Sequence, residues 1–212
     1  MKKIDLDTYP RRALFDAFIS LDIPTYSITC QVDITSFRTI QATLDCGFFV
    51  PFSYLLSRAI NAVPEFRHRL IDGDIYEFER IDPSYTVLQD DRTFSFCDSR
   101  HFDAFVEYRD HAQRQIQAAR EHPVCDDKEK HNSFFITNLP WLNFTSITHP
   151  FNRKYASIPI ISVGRFCLHG DRVLIPIGLQ CHHALVDGIH IGDFFGRLGE
   201  LCSDPADVLG LC

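Results

Sequence analysis

Nowhere in this 212-residue chain do about eighteen apolar residues run together, and its opening stretch, MKKIDLDTYPRR, is charged where a secretion signal would be apolar. Neither a membrane-crossing helix nor a leader is expected, and the cytoplasm is the expected location. A basic stripe is missing too. With 21 Lys and Arg against 28 Asp and Glu, the formal net charge is −7, whereas neutralising a phosphate backbone needs clustered cations, so no nucleic acid partner is expected. Repeats, low-complexity tracts and Gly/Ser linkers are absent, so residues 1–212 read as one domain. The eight cysteines (Cys30, Cys46, Cys97, Cys125, Cys167, Cys181, Cys202, Cys212) contain no C-x-x-C pair. They read as reduced packing residues rather than a disulfide framework. The sequon at Asn143 has meaning only on a secretory route.

What is abundant is phenylalanine, at 19 residues, in a chain that is 45% hydrophobic. Most of these rings fill a core, and some can line an apolar ligand pocket. Arg11 to Leu21 places Leu14, Phe15, Phe18 and Leu21 at helical spacing, and TYSITCQVDITSF then alternates as a strand does. A helix opens at Pro51, with Tyr54, Leu55, Ala59 and Ile60 on one face, and ends near Pro64. Asp72-Gly73 between β-prone runs signals a hairpin. Strands follow at Tyr85 to Leu88 and Thr93 to Cys97, then a polar-faced helix from about Phe102 to Glu121. SFFITN and LNFTSI read as short strands, and the apolar runs around His169-Gly170-Asp171 as a long hairpin. From Gly188 a helix turns Ile191, Phe194, Phe195 and Leu198 inward.

The stretch CHHALVDGIH, Cys181 to His190, thus falls where a buried strand ends and a helix begins. A metal site would draw on His182, His183, Asp187 and His190, but strand neighbours face opposite ways, so His182 and His183 do not readily meet one ion. The same geometry separates a nucleophilic Cys181 from His182. Two further readings stay open from the residues alone. His183 could be a satisfied core histidine with Asp187 as a helix cap, or a general base.

The stretch QCHHALVDGIHIGDFF resembles the H-H-x-x-x-D-G signature of the chloramphenicol acetyltransferases, whose distant relatives include the catalytic domains of dihydrolipoamide acyltransferases. Other segments match in order: RRALFDAF resembles the family's first helix with its buried arginine, and FFVPFSYLLSRAINAVPEFR the stretch ending in a P-E-F-R-like turn. DPSYTVLQDDRTFSF is similar to a family strand, and LPWLNFTSI to the segment holding the active-site serine. The match runs from about Tyr9 to Cys202. Val186 stands where many members have cysteine, Tyr9 where tryptophan is common, and 125–132 has little counterpart.

The resemblance implies an α/β fold of the α+β two-layer type, a mixed β-sheet with helices packed on one face. It implies His183 as the catalytic base, Asp187 paired with Arg11 to brace the site, and Ser146 as hydrogen-bond donor to the oxyanion. It further implies that Phe18, Phe144 and Tyr26 bind the acceptor, that no metal takes part, and that acetyl-coenzyme A and chloramphenicol are the substrates. A homotrimer with active sites shared between subunits follows, as does direct transfer without an acyl-enzyme. An imidazole of near-neutral pKa can deprotonate an attacking hydroxyl, typically worth about 10²–10⁴ in rate, and one oxyanion donor is worth roughly 3 to 4 kcal/mol. The alternatives are an acyltransferase of the same fold for another hydroxyl, or a non-catalytic trimeric binding protein, against which the presence of both His183 and Ser146 speaks.

Overall fold

The computed structural model describes residues 1–125 and 130–211; part of the poorly matching segment 125–132 therefore lies outside the described residues. In chain order the elements are β1 (Lys2–Lys3), α1 (Arg12–Ile19), β2 (Thr25–Asp33), α2 (Thr35–Gln41) and α3 (Phe49–Asn61). A 3-10 turn at Pro64–Arg67 leads to β3 (His68–Ile71), β4 (Asp74–Glu77), β5 (Asp82–Leu88), β6 (Phe94–Asp98) and α4 (Phe105–Glu121). Then follow β7 (Ser133–Asn138), a 3-10 turn at Arg153–Tyr155, β8 (Ile160–Val163), β9 (Cys167–His169), β10 (Arg172–His182), α5 (Gly188–Ser203) and α6 (Pro205–Val208). No helix among the described residues is long and apolar enough to cross a membrane.

The main sheet is mixed, in the order β2-β10-β8-β7-β5-β6 with β9 beside the start of β10. β10 runs antiparallel to β2 and β8, while β8–β7 and β7–β5 are parallel pairs. Alternation along β10 separates two faces. Ile175, Ile177, Leu179 and Cys181 point into the core, opposite Val32, Cys30, Ile28 and Tyr26 of β2. Helices cover this side, with α5 against β2, α2 against β10 and α4 against β5 and β6. α3 is the central helix: every residue from Val50 to Ser57 is buried. α4 is amphipathic and buries only Phe105, Tyr108, Ala112 and Ala119, at intervals close to whole helical turns.

The other face carries Pro176, Gly178 and Gln180 and is covered by coil. A side chain at Gly164 would come within 2.6 Å of Pro176 Cγ and 2.8 Å of Phe144 Cε1, and one at Gly178 would meet Ile147 Cγ2. His149 N–H donates to Gln180 Oε1 at 2.8 Å, and the His149 Nε2–Ser162 Oγ hydrogen bond is 2.7 Å. Residues 142–149 therefore lie across β8 and β10. Gly178→Ala is expected to lower stability by about 1–3 kcal/mol through overpacking against Ile147, read from thermal unfolding.

Several sequence expectations are corrected here. LNFTSI is coil rather than a strand, because its anchors are side chains and glycine-floored contacts of the sheet it crosses. The strand from Thr25 stops at Asp33, whose Oδ1 accepts from the Thr35 amide and hydroxyl at 3.0 and 2.5 Å; that local turn starts α2, which was unforeseen. α3 begins at Phe49, so Pro51 sits within its first turn, where no intrahelical donor is lost. The last hairpin has a broken first arm, β8 and β9 being separated at Gly164–Phe166. In α1 only Phe15 is buried, and Leu14 and Leu21 are 44% and 46% exposed in the isolated chain. The hairpin at Asp72-Gly73 is present, with φ of 52° and 87° at its two turn residues, the left-handed region that Gly and Asp tolerate best.

Candidate active site

The turn that follows β10 is held from both ends of the chain. His182 makes the last β10–β2 pair, with Thr25, and the next amide, of His183, donates to Pro24 O at 2.8 Å. The amides of Leu185 and Val186 both return to His182 O at 3.0 Å, closing the turn, and Asp187 becomes the N-cap of α5.

Arg11, immediately before α1, grips this turn. Its Nε and Nη2 hold Asp187 Oδ2 and Oδ1 at 2.9 and 2.7 Å, the planar two-point geometry that guanidinium suits. Nη1 donates to Leu185 O at 2.6 Å and Ala184 O at 3.1 Å, and Nη2 reaches His183 O at 3.4 Å. Nη1 also donates to the Tyr9 hydroxyl at 3.1 Å. Burial works against the Arg11 charge, but its hydrogen bonds to Asp187 and Tyr9 outweigh that and raise its pKa above the ordinary value.

The His183 imidazole lies flat on Phe18, 3.8 Å between ring centroids and 9° from parallel, and is tilted on Tyr26 at 4.5 Å. Tyr26 also donates to Val186 O at 3.2 Å, and burial raises its phenol pKa. His183 Nδ1 is buried without a hydrogen bond, 3.4 Å from Asp187 Oδ1. With the side chain 33% exposed, the Nε2 edge is the open one. Both Asp187 oxygens are engaged by Arg11, so the carboxylate braces the turn instead of forming the hydrogen-bonded histidine–carboxylate unit of a triad.

The chain thus brings Arg11, Asp187, His183, Phe18 and Tyr26 together. Ser146 and Phe144 lie elsewhere, on the coil over the opposite face of the sheet, and Ser146 is exposed and makes no side-chain hydrogen bond among the described residues. His182 points away from His183: it is buried, its Nδ1 accepts from the Ala184 amide at 3.2 Å, and burial lowers its pKa to about 4. It lines a cavity of about 480 Å³ with Leu70, Phe151, Arg153 and Ser157. His190 Nδ1 accepts from the Asp187 amide at 2.9 Å. Of the four donors considered for a metal, His182 turns away from His183, Asp187 is taken by Arg11 and His190 Nδ1 by the Asp187 amide, and among the described residues no group of three or more His, Cys, Asp or Glu is arranged to hold an ion. Cys181 is buried, and burial pushes its thiol up to about 12, unsuited to a nucleophile. Sequence reasoning missed Tyr9 as an Arg11 acceptor and His190 as a reciprocal cap. The D-x-x-H spacing, a variant of the capping box, was the available signal for His190.

Known proteins resemble this chain over most of its length. A family model described as chloramphenicol acetyltransferase matches residues 1–199. A chloramphenicol acetyltransferase of Escherichia coli is 31% identical over 204 residues, covering 95% of this chain and 93% of the relative. Among solved structures, a chloramphenicol acetyltransferase superposes with a TM-score of 0.87 at 24% identity, covering 95% of this chain and 99% of the other. The dihydrolipoamide acetyltransferase of Azotobacter vinelandii gives 0.69 at 17% identity, over 93% and 88%. These two structural likenesses concern the fold, a mixed sheet with helices.

Proposed function

Because the chain belongs to the chloramphenicol acetyltransferase family and is an acyltransferase, we propose that it transfers the acetyl group of acetyl-coenzyme A to a hydroxyl of chloramphenicol, and so confers resistance to that antibiotic. The observation that carries this reading is the Arg11 clamp. One guanidinium fixes Asp187 and three successive carbonyls of the turn, leaving the Nε2 edge of His183 as its open face.

In the proposed reaction His183 Nε2 takes the acceptor's hydroxyl proton as the oxygen attacks the thioester carbonyl. The carbon–oxygen bond forms, and the carbonyl electrons move onto an oxyanion that the Ser146 hydroxyl stabilises. Collapse breaks the carbon–sulfur bond, and the departing thiolate recovers the proton from the imidazolium. No covalent enzyme intermediate arises. Phe18 and Tyr26 hold the imidazole plane, and with Phe144 they offer the apolar surface an aromatic acceptor needs.

Ser146 and His183 are drawn from different faces, and apolar side chains such as Ile23, Trp141 and Leu168 are 64%, 53% and 77% exposed in the lone chain. Both features favour a homotrimer in which the base of one subunit meets the acceptor bound to its neighbour. A cytoplasmic setting suits acetyl-coenzyme A and the unpaired cysteines among the described residues.

The test is thiol release from acetyl-coenzyme A, followed with a colorimetric thiol reagent, with and without chloramphenicol, alongside sedimentation. Chloramphenicol-dependent release by a trimer is expected; an active monomer would sink the shared site, and no release would move the acceptor to another hydroxyl compound. Cys181→Ala is expected to keep turnover largely intact in the same assay, and near-complete loss would revive a thiol mechanism.

A further inference from the structure

Asp187 is held on two sides, and only one of them is the arginine. Its amide is the first N–H of the α5 N-terminus, and a partly buried amide there needs an acceptor. The acceptor is His190 Nδ1, at 2.9 Å. A ring nitrogen that accepts carries no proton, so neutral His190 bears its proton on Nε2. That nitrogen faces Glu65 Oε1 at 3.6 Å, with the two side chains only 12% and 25% exposed. Glu65 belongs to the Pro64–Arg67 turn, and the next residue, Phe66, fully buried, packs edge-on against Phe194 at 5.9 Å. His190 and Phe194 are four apart on α5 and so share a face. The turn after α3 therefore docks on α5 through one apolar and one polar contact, and the polar one ends at the residue whose carboxylate lies 3.4 Å from His183 Nδ1.

We propose that Glu65 and His190 are positioning residues for the acyl transfer, fixing Asp187 through its amide while Arg11 fixes it through its carboxylate, so that the turn presents His183 in one orientation. This rests on the reading of His183 as the base. The arginine clamp holds the Asp187 carboxylate and the carbonyls before it, and the His190 bond adds a restraint at the Asp187 amide. Displacement of a reacting group by about 1 Å can reduce rate by about 10²-fold.

The experiment compares the parent, His190→Ala, His190→Gln and Glu65→Ala in full-length protein, by steady-state kinetics with chloramphenicol and by long-range ¹H–¹⁵N spectra of ¹⁵N-histidine-labelled protein. His190→Ala is expected to lower kcat about 10- to 100-fold with the KM for chloramphenicol nearly unchanged, and to shift or broaden the His183 ring signals. His190→Gln should restore most of kcat, because a glutamine at this helix position reaches back to the cap amide. Glu65→Ala should give a smaller loss of the same kind. The spectrum of the parent should show His190 protonated on Nε2. Unchanged kcat in His190→Ala, equal losses in the Ala and Gln variants, or a His190 protonated on Nδ1 would overturn the proposal. If the parent releases no thiol with chloramphenicol, the functional reading fails by itself. The tautomer of His190 and the response of the His183 signals then decide the positioning role without turnover.

Discussion

His183→Ala is expected to lower kcat for chloramphenicol-dependent thiol release by about 10³-fold, within the range of about 10²–10⁴ for a lost general base, while KM for either substrate changes little. The reason is that the substitution separates chemistry from structure. The amide of His183 still donates to Pro24 O, and its carbonyl still receives Arg11, so the turn keeps its shape. What goes is the imidazole and its stack on Phe18, a contact of about 1 kcal/mol. The circular dichroism spectrum should match the parent and the melting temperature should move only slightly. A loss of less than about tenfold would place the base elsewhere, and a loss matched by unfolding would make the residue structural.

Arg11→Met should be damaging in a different way, lowering stability and activity together. The change leaves the Asp187 carboxylate, 22% exposed, without its partner, and it strips donors from the carbonyls of His183, Ala184 and Leu185. Removing one member of a buried ion pair costs about 3–5 kcal/mol, and the residual exposure of Asp187 argues for the lower end, about 3 kcal/mol. For a chain of this size that corresponds to a fall in melting temperature of roughly 6–12 °C. The double variant Arg11→Met, Asp187→Leu should regain part of that stability, since no charge is left unpaired, yet remain slow because the turn is unclamped. Recovery of both would show that the pair braces the fold and not the site; additive losses in stability would contradict the pairing itself.

Much of the fold is legible in the residues because local chemistry and tertiary structure agree there. Ile175, Ile177 and Leu179 alternate along the helix-covered face of their strand, Asp72-Gly73 marks its hairpin, and Phe105, Tyr108 and Ala112 keep helical spacing. Where tertiary contacts decide, the local reading fails. Ile34 and Thr35 suit a strand, and it is the Asp33 carboxylate that turns the chain into α2. The segment around Ser146 has strand-like composition, yet glycines at 164 and 178 hollow the sheet surface and draw it in as coil. Leu14 and Leu21 have core periodicity but remain 44% and 46% exposed in the isolated chain. In the site, the histidine pair and Asp187 stand out in the sequence by themselves. Arg11 does not, because 176 residues separate it from Asp187, and only likeness to other sequences joined them. The Glu65–His190 contact escaped for the same reason of distance, whereas the His190 cap lay within reach of the D-x-x-H spacing.

The β2–β10 pairing sets a timetable for making the protein. Thr25–Asp33 finds its ladder partner only in 174–182, so for most of synthesis β2 is out of the ribosome with the backbone groups of that edge unpaired within the sheet. Arg11 likewise waits for Asp187. Closing loops of this span is slow relative to local structure, so the turn bearing His183 forms among the last events of folding. A polypeptide that ends with β10 therefore carries every strand of the sheet and the whole serine segment, yet lacks the His183–Asp187 turn and α5.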